Sequence, residues 1–252
     1  MQDGLQEAFG GPLAVDDDPD VEEVNRQIMR CHTDLKHPFA QLFGGIQSHT
    51  ITCVECGFTT PEAYDSFLGL SMRTSSSIYQ AVFNHLMPED IKRTCENPRC
   101  PGTGYKAAKK RTKIVEWPTY LVVYLSRFNP DQSKLNEALK VGEYLLLDTT
   151  SGARVRHAYF DLVAGAMHHG TTIHSGHYTV VAKHDDQWYR FDDEEVTRVG
   201  FDQAAFAEAT LLVYRLDRHK VLPPDTDLKH VRLLATKGST MTKEEKKTVL
   251  YQ

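Results

Sequence analysis

The densest run of reactive side chains lies between His168 and Glu195, HHGTTIHSGHYTVVAKHDDQWYRFDDEE. Two of its segments, His177 to His184 and Trp188 to Asp192, read as strands joined by a tight turn at Asp185-Asp186. A histidine that opens one strand and a carboxylate that closes the next make a base and its orienter. The carboxylate fixes the imidazole tautomer and stabilises the imidazolium. Register decides which carboxylate serves. With a two-residue turn, residue 184 pairs with 187, and Asp192 falls opposite Thr179, one pleat step from His177 on the same face. Diagonal neighbours of that kind sit about 7–8 Å apart, within side-chain reach. Asp193 then points to the other face, so Asp192 is the better orienter; a three-residue loop would reverse the two. The plain alternative is an ordinary surface hairpin. His168, His169, His174 and His184 carry no signal individually.

The second chemical feature is four cysteines in two pairs. Cys53-Val-Glu-Cys56 is followed by Gly57, and Cys95-Glu-Asn-Pro-Arg-Cys100 is bent by Pro98 and Gly102. Two knuckles that bring four thiolates together make a closed tetrahedral zinc site, structural because no position is left for water. The second spacing is at the loose end for such sites. Disulfides are disfavoured because nothing in the sequence marks secretion, and a redox role for Cys53-Cys56 lacks a βαβ context. Zinc and a metal-free set of reduced thiols are the two readings left. The fifth cysteine, Cys31, reads as a small buried hydrophobe.

These residues need elements to hold them. Val24, Ile28, Met29 and Leu35 recur at helical spacing over Val21 to Leu35, with Asp20 as cap and Glu22 and Glu23 in the first turn. His37 to Gly45 reads as a loop that feeds a strand from Ser48 to Cys56. Thr119 to Phe128, aromatic and β-branched after Pro118, is the strongest strand. Thr210 to Leu216 is apolar nearly throughout and reads as a central strand. Helices are expected at Ile78 to Leu86 and Phe201 to Glu208. Together these elements predict an α+β fold with a large, mostly antiparallel sheet. Residues 1–20, with clustered Asp and Pro, predict a disordered leader, and 218–252 a polar peripheral tail. The domain proper is expected over 21–217.

Composition narrows the function classes. The 252 residues carry 29 Lys and Arg against 34 Asp and Glu, a net charge of −5. No broad nucleic-acid grip is expected from that balance. No apolar run is long enough for a membrane span, and residues 1–20 lack the basic start and apolar core of a secretory signal. The basic stretch Lys106, Lys109, Lys110, Arg111 and Lys113 reads as a solvated surface.

Taken in order, these residues resemble the C-terminal part of a ubiquitin-specific protease catalytic domain, a papain-like cysteine deubiquitinase. The match runs through His37-Pro38-Phe39, Leu42-Phe43 and Gly45, then Cys53 and Cys56, Phe67-Leu68 and Leu70, and the second cysteine pair. It continues with Pro118, Leu121 and Leu125-Ser126-Arg127-Phe128, where the family usually shows Leu-Lys-Arg-Phe, then Tyr159 to Leu162, His168 and Gly170. Ser175-Gly176-His177-Tyr178, Trp188-Tyr189, Phe191-Asp192-Asp193, Leu212 and Tyr214 close it. Each match is weak alone, but the ordered set is specific.

The resemblance implies a papain-like palm with a zinc-ribbon fingers extension, within 50–105, that grips ubiquitin. It implies His177 as general base, Asp192 as orienting acid, Asp193 as a second acidic position, and Tyr178 as a side chain that lines the site. The family's nucleophile motif, similar to Gly-Asn-Thr-Cys-Tyr, does not occur in this sequence, and Gln2-Asp3 with Glu7 and Phe9 only echoes its Gln-Asp-x-x-Glu-Phe box. The thumb subdomain is therefore expected to be missing. Cys31 precedes His177 by a gap in the papain range of about 130–150 residues. It lies, however, near the C-terminal end of its helix, where the dipole disfavours thiolate. The implied function is a thiol-dependent deubiquitinase hydrolysing the bond at the ubiquitin C-terminus, with the nucleophile segment absent and the chain alone inactive. The alternative is a catalytically inactive ubiquitin-binding or scaffold protein. Ubiquitin or a ubiquitinated protein is the expected partner, with a separate chain as one source of the thumb. The compartment is expected to be a reducing intracellular one, cytoplasm or nucleus.

Overall fold

The computed structural model describes residues 19–101, 104–151, 154–172 and 174–217. Most of the expected leader and the whole expected tail lie outside the described residues. Helix α1 (Pro19–Asp34) begins with proline in its first turn and carries Glu22 and Glu23 paired with Arg26. Helix α2 (Pro38–Phe43) is a single short element where a loop was expected. It is capped by His37, whose Nδ1 accepts from the Phe39 amide at 3.2 Å. Strand β1 (Gly45–Cys53) starts earlier than Ser48 and stops at the first cysteine, because Cys53 to Gly57 turn back on themselves.

Then follow β2 (Ala63–Phe67), β3 (Leu70–Arg73), α3 (Ile78–Leu86), β4 (Glu89–Thr94), β5 (Tyr105–Glu116), β6 (Tyr120–Ser126) and β7 (Tyr144–Ser151). The chain continues through β8 (Arg154–Thr172), β9 (Ser175–His184), β10 (Gln187–Asp192), β11 (Glu195–Val199) and β12 (Ala209–Asp217). Helix α3 has the expected bounds, with Ser77 Oγ accepting from the Gln80 amide at its start. The helix expected over Phe201 to Glu208 is only a 3-10 turn, Gln203–Phe206.

Two sheets result. The smaller has the order β2-β1-β5-β4, all antiparallel, with α1 packed on β2. The larger has the order β11-β10-β9-β8-β12-β6-β3, with β7 beside β8. Its single parallel pair is β3 with β6. Strand β12 lies between β8 and β6, as its continuous apolar run requires. The core sits on one face of this sheet: Leu121 and Val123 from β6, Phe160 and Leu162 from β8, Leu212 and Tyr214 from β12, closed by Trp188 and Phe206.

At the end of β6 lies Arg127, only 1% exposed. Its guanidinium donates to the carbonyls of Ala209 (2.7 Å), Glu137 (3.0 Å) and Ala207 (2.6 Å). The segment after β6 is thereby tied to the start of β12. Among the described residues no helix is long and apolar enough to cross a membrane.

Candidate active site

The hairpin β9–β10 has the register that a two-residue turn dictates: His184 faces Gln187, and Val180 faces Phe191. Both turn residues take positive φ, 44° at Asp185 and 58° at Asp186. This is the conformation of a type I′ turn, which Asp tolerates better than most residues. Continuing the register sets Asp192 opposite Thr179, diagonal to His177.

There the side chains meet. His177 Nε2 lies 2.5 Å from Asp192 Oδ1, and the carboxylate can only accept, so Nε2 carries the proton. The other carboxylate oxygen, Oδ2, takes Arg190 Nη2 at 2.5 Å. Arg190 precedes Asp192 by two residues and so shares its face; strand periodicity alone could have found it. Asp193, at φ 50°, completes a cluster with His177 and Asp192 whose ligand atoms lie within 4.8 Å of one another. With Nε2 committed, Nδ1 is the nitrogen left to take a proton, and the imidazole is 47% exposed.

The hydrogen bond to Asp192 raises the His177 pKa above the ordinary histidine value, with the Asp192 and Asp193 charges adding to it. The same bond holds Asp192 below the usual carboxylate range, assisted by Arg190. The imidazolium therefore stabilises the fold fully below about pH 6.5, and that contribution is lost as the pH rises through the raised value. The carboxylate stabilises above about pH 4, and its contribution is lost as the pH falls through the lowered value. Asp192→Asn removes the charged acceptor, so the His177 titration midpoint is expected to fall toward about 6.5. An NMR pH titration of the imidazole measures this, and an unmoved midpoint would show that the pair does not couple.

Tyr178 does not line this site. Successive strand residues alternate faces, and its ring packs instead on His168 with centroids 4.8 Å apart. His168 itself is buried, 3% exposed, and fills the space beside Gly176. A Cβ at Gly176 would lie 2.1 Å from His168 Nε2. The glycine before His177 is thus a packing requirement. Gly176→Ala is expected to cost about 1–3 kcal/mol in chemical denaturation by overpacking; an unchanged midpoint would show that the imidazole simply moves aside.

The second candidate centre is at the far end of the small sheet. Gly57, at φ 70°, lets the chain close a knuckle in which the Gly57 amide donates to the Cys53 carbonyl at 3.0 Å. Beyond β4, the Cys100 amide donates to the Asn97 carbonyl at 2.9 Å. The four sulfurs lie within 4.8 Å of one another, Cys53 to Cys100 at 3.9 Å and Cys56 to Cys95 at 3.6 Å. A disulfide needs about 2.05 Å, and all four are free thiols. A tetrahedron of sulfurs about 2.3 Å from zinc has edges of about 3.8 Å, so the donor set fits that ion. Asn97 offers its amide to Cys95 Sγ (3.5 Å) and Nδ2 to Cys56 Sγ (3.7 Å), donors of the kind that orient ligating sulfur. The backbone amide of Phe58 is the main cause that lowers the Cys56 thiol to about 7.

Cys31 is elsewhere. It is buried in α1, 4% exposed, and burial pushes its thiol up, with Asp34, Asp65 and Glu116 adding to that. Among the described residues no cysteine joins the His177 cluster.

The architecture is one seen in DUB modules. A yeast SAGA DUBm structure superposes with a TM-score of 0.63 at 23% identity, covering 80% of this chain and 46% of that one. The SAGA Ubp8/Sgf11/Sus1/Sgf73 DUB module bound to ubiquitin aldehyde gives 0.58 at 22%, over 79% and 49%. At the level of sequence, the family model described as ubiquitin carboxyl-terminal hydrolase matches residues 3–214, and the chain belongs to that family. It is 28% identical over 218 residues to ubiquitin carboxyl-terminal hydrolase 2 of Homo sapiens, covering 81% of this chain and 36% of that protein. For the Gallus gallus protein of the same name the values are 29% over 210 residues, 77% and 58%. The chain thus spans less than two thirds of the length of these curated relatives.

Proposed function

We propose that this chain carries the base and acid of a thiol-dependent ubiquitin hydrolase, with His177 as general base and Asp192 as its orienter. The hydrogen bond between them carries the reading, because it leaves Nδ1 free to serve a cysteine thiol. In the reaction, Nδ1 takes the thiol proton as sulfur attacks the carbonyl at the ubiquitin C-terminus. The proton then passes to the leaving amine, and the base repeats the cycle with water. Asp192 holds Nε2–H and stabilises the imidazolium. Asp193 adds negative potential beside them. The thiol itself is not placed by these 252 residues: four cysteines are gathered at the far sheet, and Cys31 is buried at a helix C-terminal end, where thiolate is disfavoured. The large sheet serves as the palm, and the thumb is the part these residues do not supply.

The small sheet reads as a zinc-ribbon fingers extension, with Cys53, Cys56, Cys95 and Cys100 as ligands. Zinc there would be structural and would take no part in proton transfer. Four reduced thiols fit a reducing compartment, cytoplasm or nucleus. Ubiquitin is the partner that the family name and the ubiquitin-aldehyde-bound neighbour support.

A probe with a C-terminal electrophile on ubiquitin tests the reading. The 252-residue protein is expected to bind it without covalent capture, seen by titration calorimetry and intact mass. Labelling of Cys31 would overturn its exclusion as nucleophile. Absence of binding would remove ubiquitin as the partner of this portion.

A further inference from the structure

The segment after β6 carries two buried cations, and each does the same thing. Arg127 donates to the carbonyls of Ala207 and Ala209, which flank Glu208. Lys134, whose side chain is 4% exposed, donates through Nζ to the carbonyls of His168 and Gly170, each at 2.8 Å, which flank His169. Two backbone contacts close the segment between them: Phe128 bridges to Lys134, and the Leu135 amide donates to the Arg127 carbonyl at 2.6 Å.

The two clamped residues touch one another. His169 Nδ1 lies 2.9 Å from Glu208 Oε2, and the other carboxylate oxygen meets Lys134 Nζ at 3.3 Å. Since the carboxylate accepts, Nδ1 carries a proton, and Nε2 hydrogen-bonds with Thr179 Oγ1 at 2.8 Å. Thr179 is 3% exposed and follows His177 by two residues on the same strand face, one step beyond the Val180–Phe191 pair with which the β9–β10 ladder ends. His169 is the direct cross-strand partner of His177, at the last regular pair before the β8–β9 register slips. A ladder end would ordinarily fray there, and here it is pinned from below by two charges.

We propose that Lys134, Glu208 and His169 are positioning residues that fix the end of the β8–β9 ladder so that His177 meets Asp192 in register. The chain of contacts runs Lys134, Glu208, His169, Thr179, and ends on the strand that carries His177. It rests on the reading of His177 as general base, and it concerns geometry and not a reacting group.

The test is the NMR titration of His177, with amide exchange at His177 to Thr179, in the 252-residue protein. The titratable and charged groups beside the imidazole are Asp192, Asp193 and Arg190, with His169 opposite it on β8. His169→Ala and Glu208→Gln are expected to lower the His177 midpoint by about half a pH unit as the bond to Asp192 loosens. Exchange at the three amides should quicken by about tenfold or more. Lys134→Met separates geometry from field. Removing a nearby cation would by itself raise the His177 midpoint, whereas loss of position lowers it. A rise in Lys134→Met, or an unmoved midpoint with unchanged exchange in His169→Ala and Glu208→Gln, overturns the proposal. The latter two side chains are nearly half exposed, so their variants remain informative if Lys134→Met does not fold. Because the readout is titration, failure here leaves thiol hydrolysis standing, and failure to bind the ubiquitin probe leaves the clamp standing.

Discussion

Cys95→Ser is expected to empty the four-cysteine centre and unravel the small sheet while the large one persists. The reason lies in where apolar area is buried. Strand β4 has no buried residue, and β5 buries only Ala108 and Ile114 of its twelve. From the small sheet only Phe67 and Ile114 join the main core, both at the end toward the large sheet. Among the described residues the main apolar core does not reach the outer ends of β1, β4 and β5, where the cysteines are. Structural zinc in small domains contributes about 10–16 kcal/mol of apparent binding energy, comparable to the whole stability of a domain. Wild-type protein is therefore expected to carry about one equivalent of zinc, and the variant less than about 0.1. Amide protection should vanish along β4 and β5 and persist in β6 and β12. Metal analysis and hydrogen exchange decide. Wild-type protein with less than about half an equivalent, or a variant with protected β4 amides, would end the zinc reading.

Why the sequence disclosed some of this and concealed the rest follows from how local each constraint is. The β9–β10 hairpin was legible because a two-residue turn sets register outright, and register placed Asp192 in hydrogen-bonding reach of His177. Asp193, expected on the other face, joins the same cluster because its positive φ ends the strand's alternation. The cysteine centre was legible because a knuckle is a local motif. Strand β8 was not: its segment Ala164-Gly165-Ala166-Met167-His168-His169-Gly170 has poor strand formers, and it is extended only because β9 and β12 flank it. The turn at Phe201 to Glu208 misled for a complementary reason. Ala204, Ala205 and Ala207 favour helix, but Arg127 takes the carbonyls of Ala207 and Ala209, and the chain must already be extended there to start β12. His169, Glu208 and Lys134 have no local signature at all. Their relation exists only once β8, β12 and the segment after β6 are folded together.

Arg127 is where that long-range organisation can be measured. Its guanidinium is buried, and its three acceptors are the main-chain carbonyls of Ala209, Glu137 and Ala207. Burial is the main cause that lowers its pKa, yet arginine stays charged in proteins. Arg127→Met keeps the stem and deletes all three donors, leaving three buried acceptors unsatisfied at about 1–3 kcal/mol each. Partial relaxation reduces the sum, and the expected loss is about 3–5 kcal/mol. Chemical denaturation with an unchanged m-value would report it as a lower midpoint. Arg127→Lys retains the charge but cannot fork to three carbonyls, so it should fall between the two. Recovery to within about 0.5 kcal/mol of wild type in Arg127→Lys would mean that charge matters and the fork does not. A loss below about 1 kcal/mol in Arg127→Met would mean that water replaces the guanidinium. In that case the start of β12, and Glu208 with it, is held by packing alone. The expected result instead makes one side chain responsible for joining the segment after β6 to the strand that delivers Glu208 to His169.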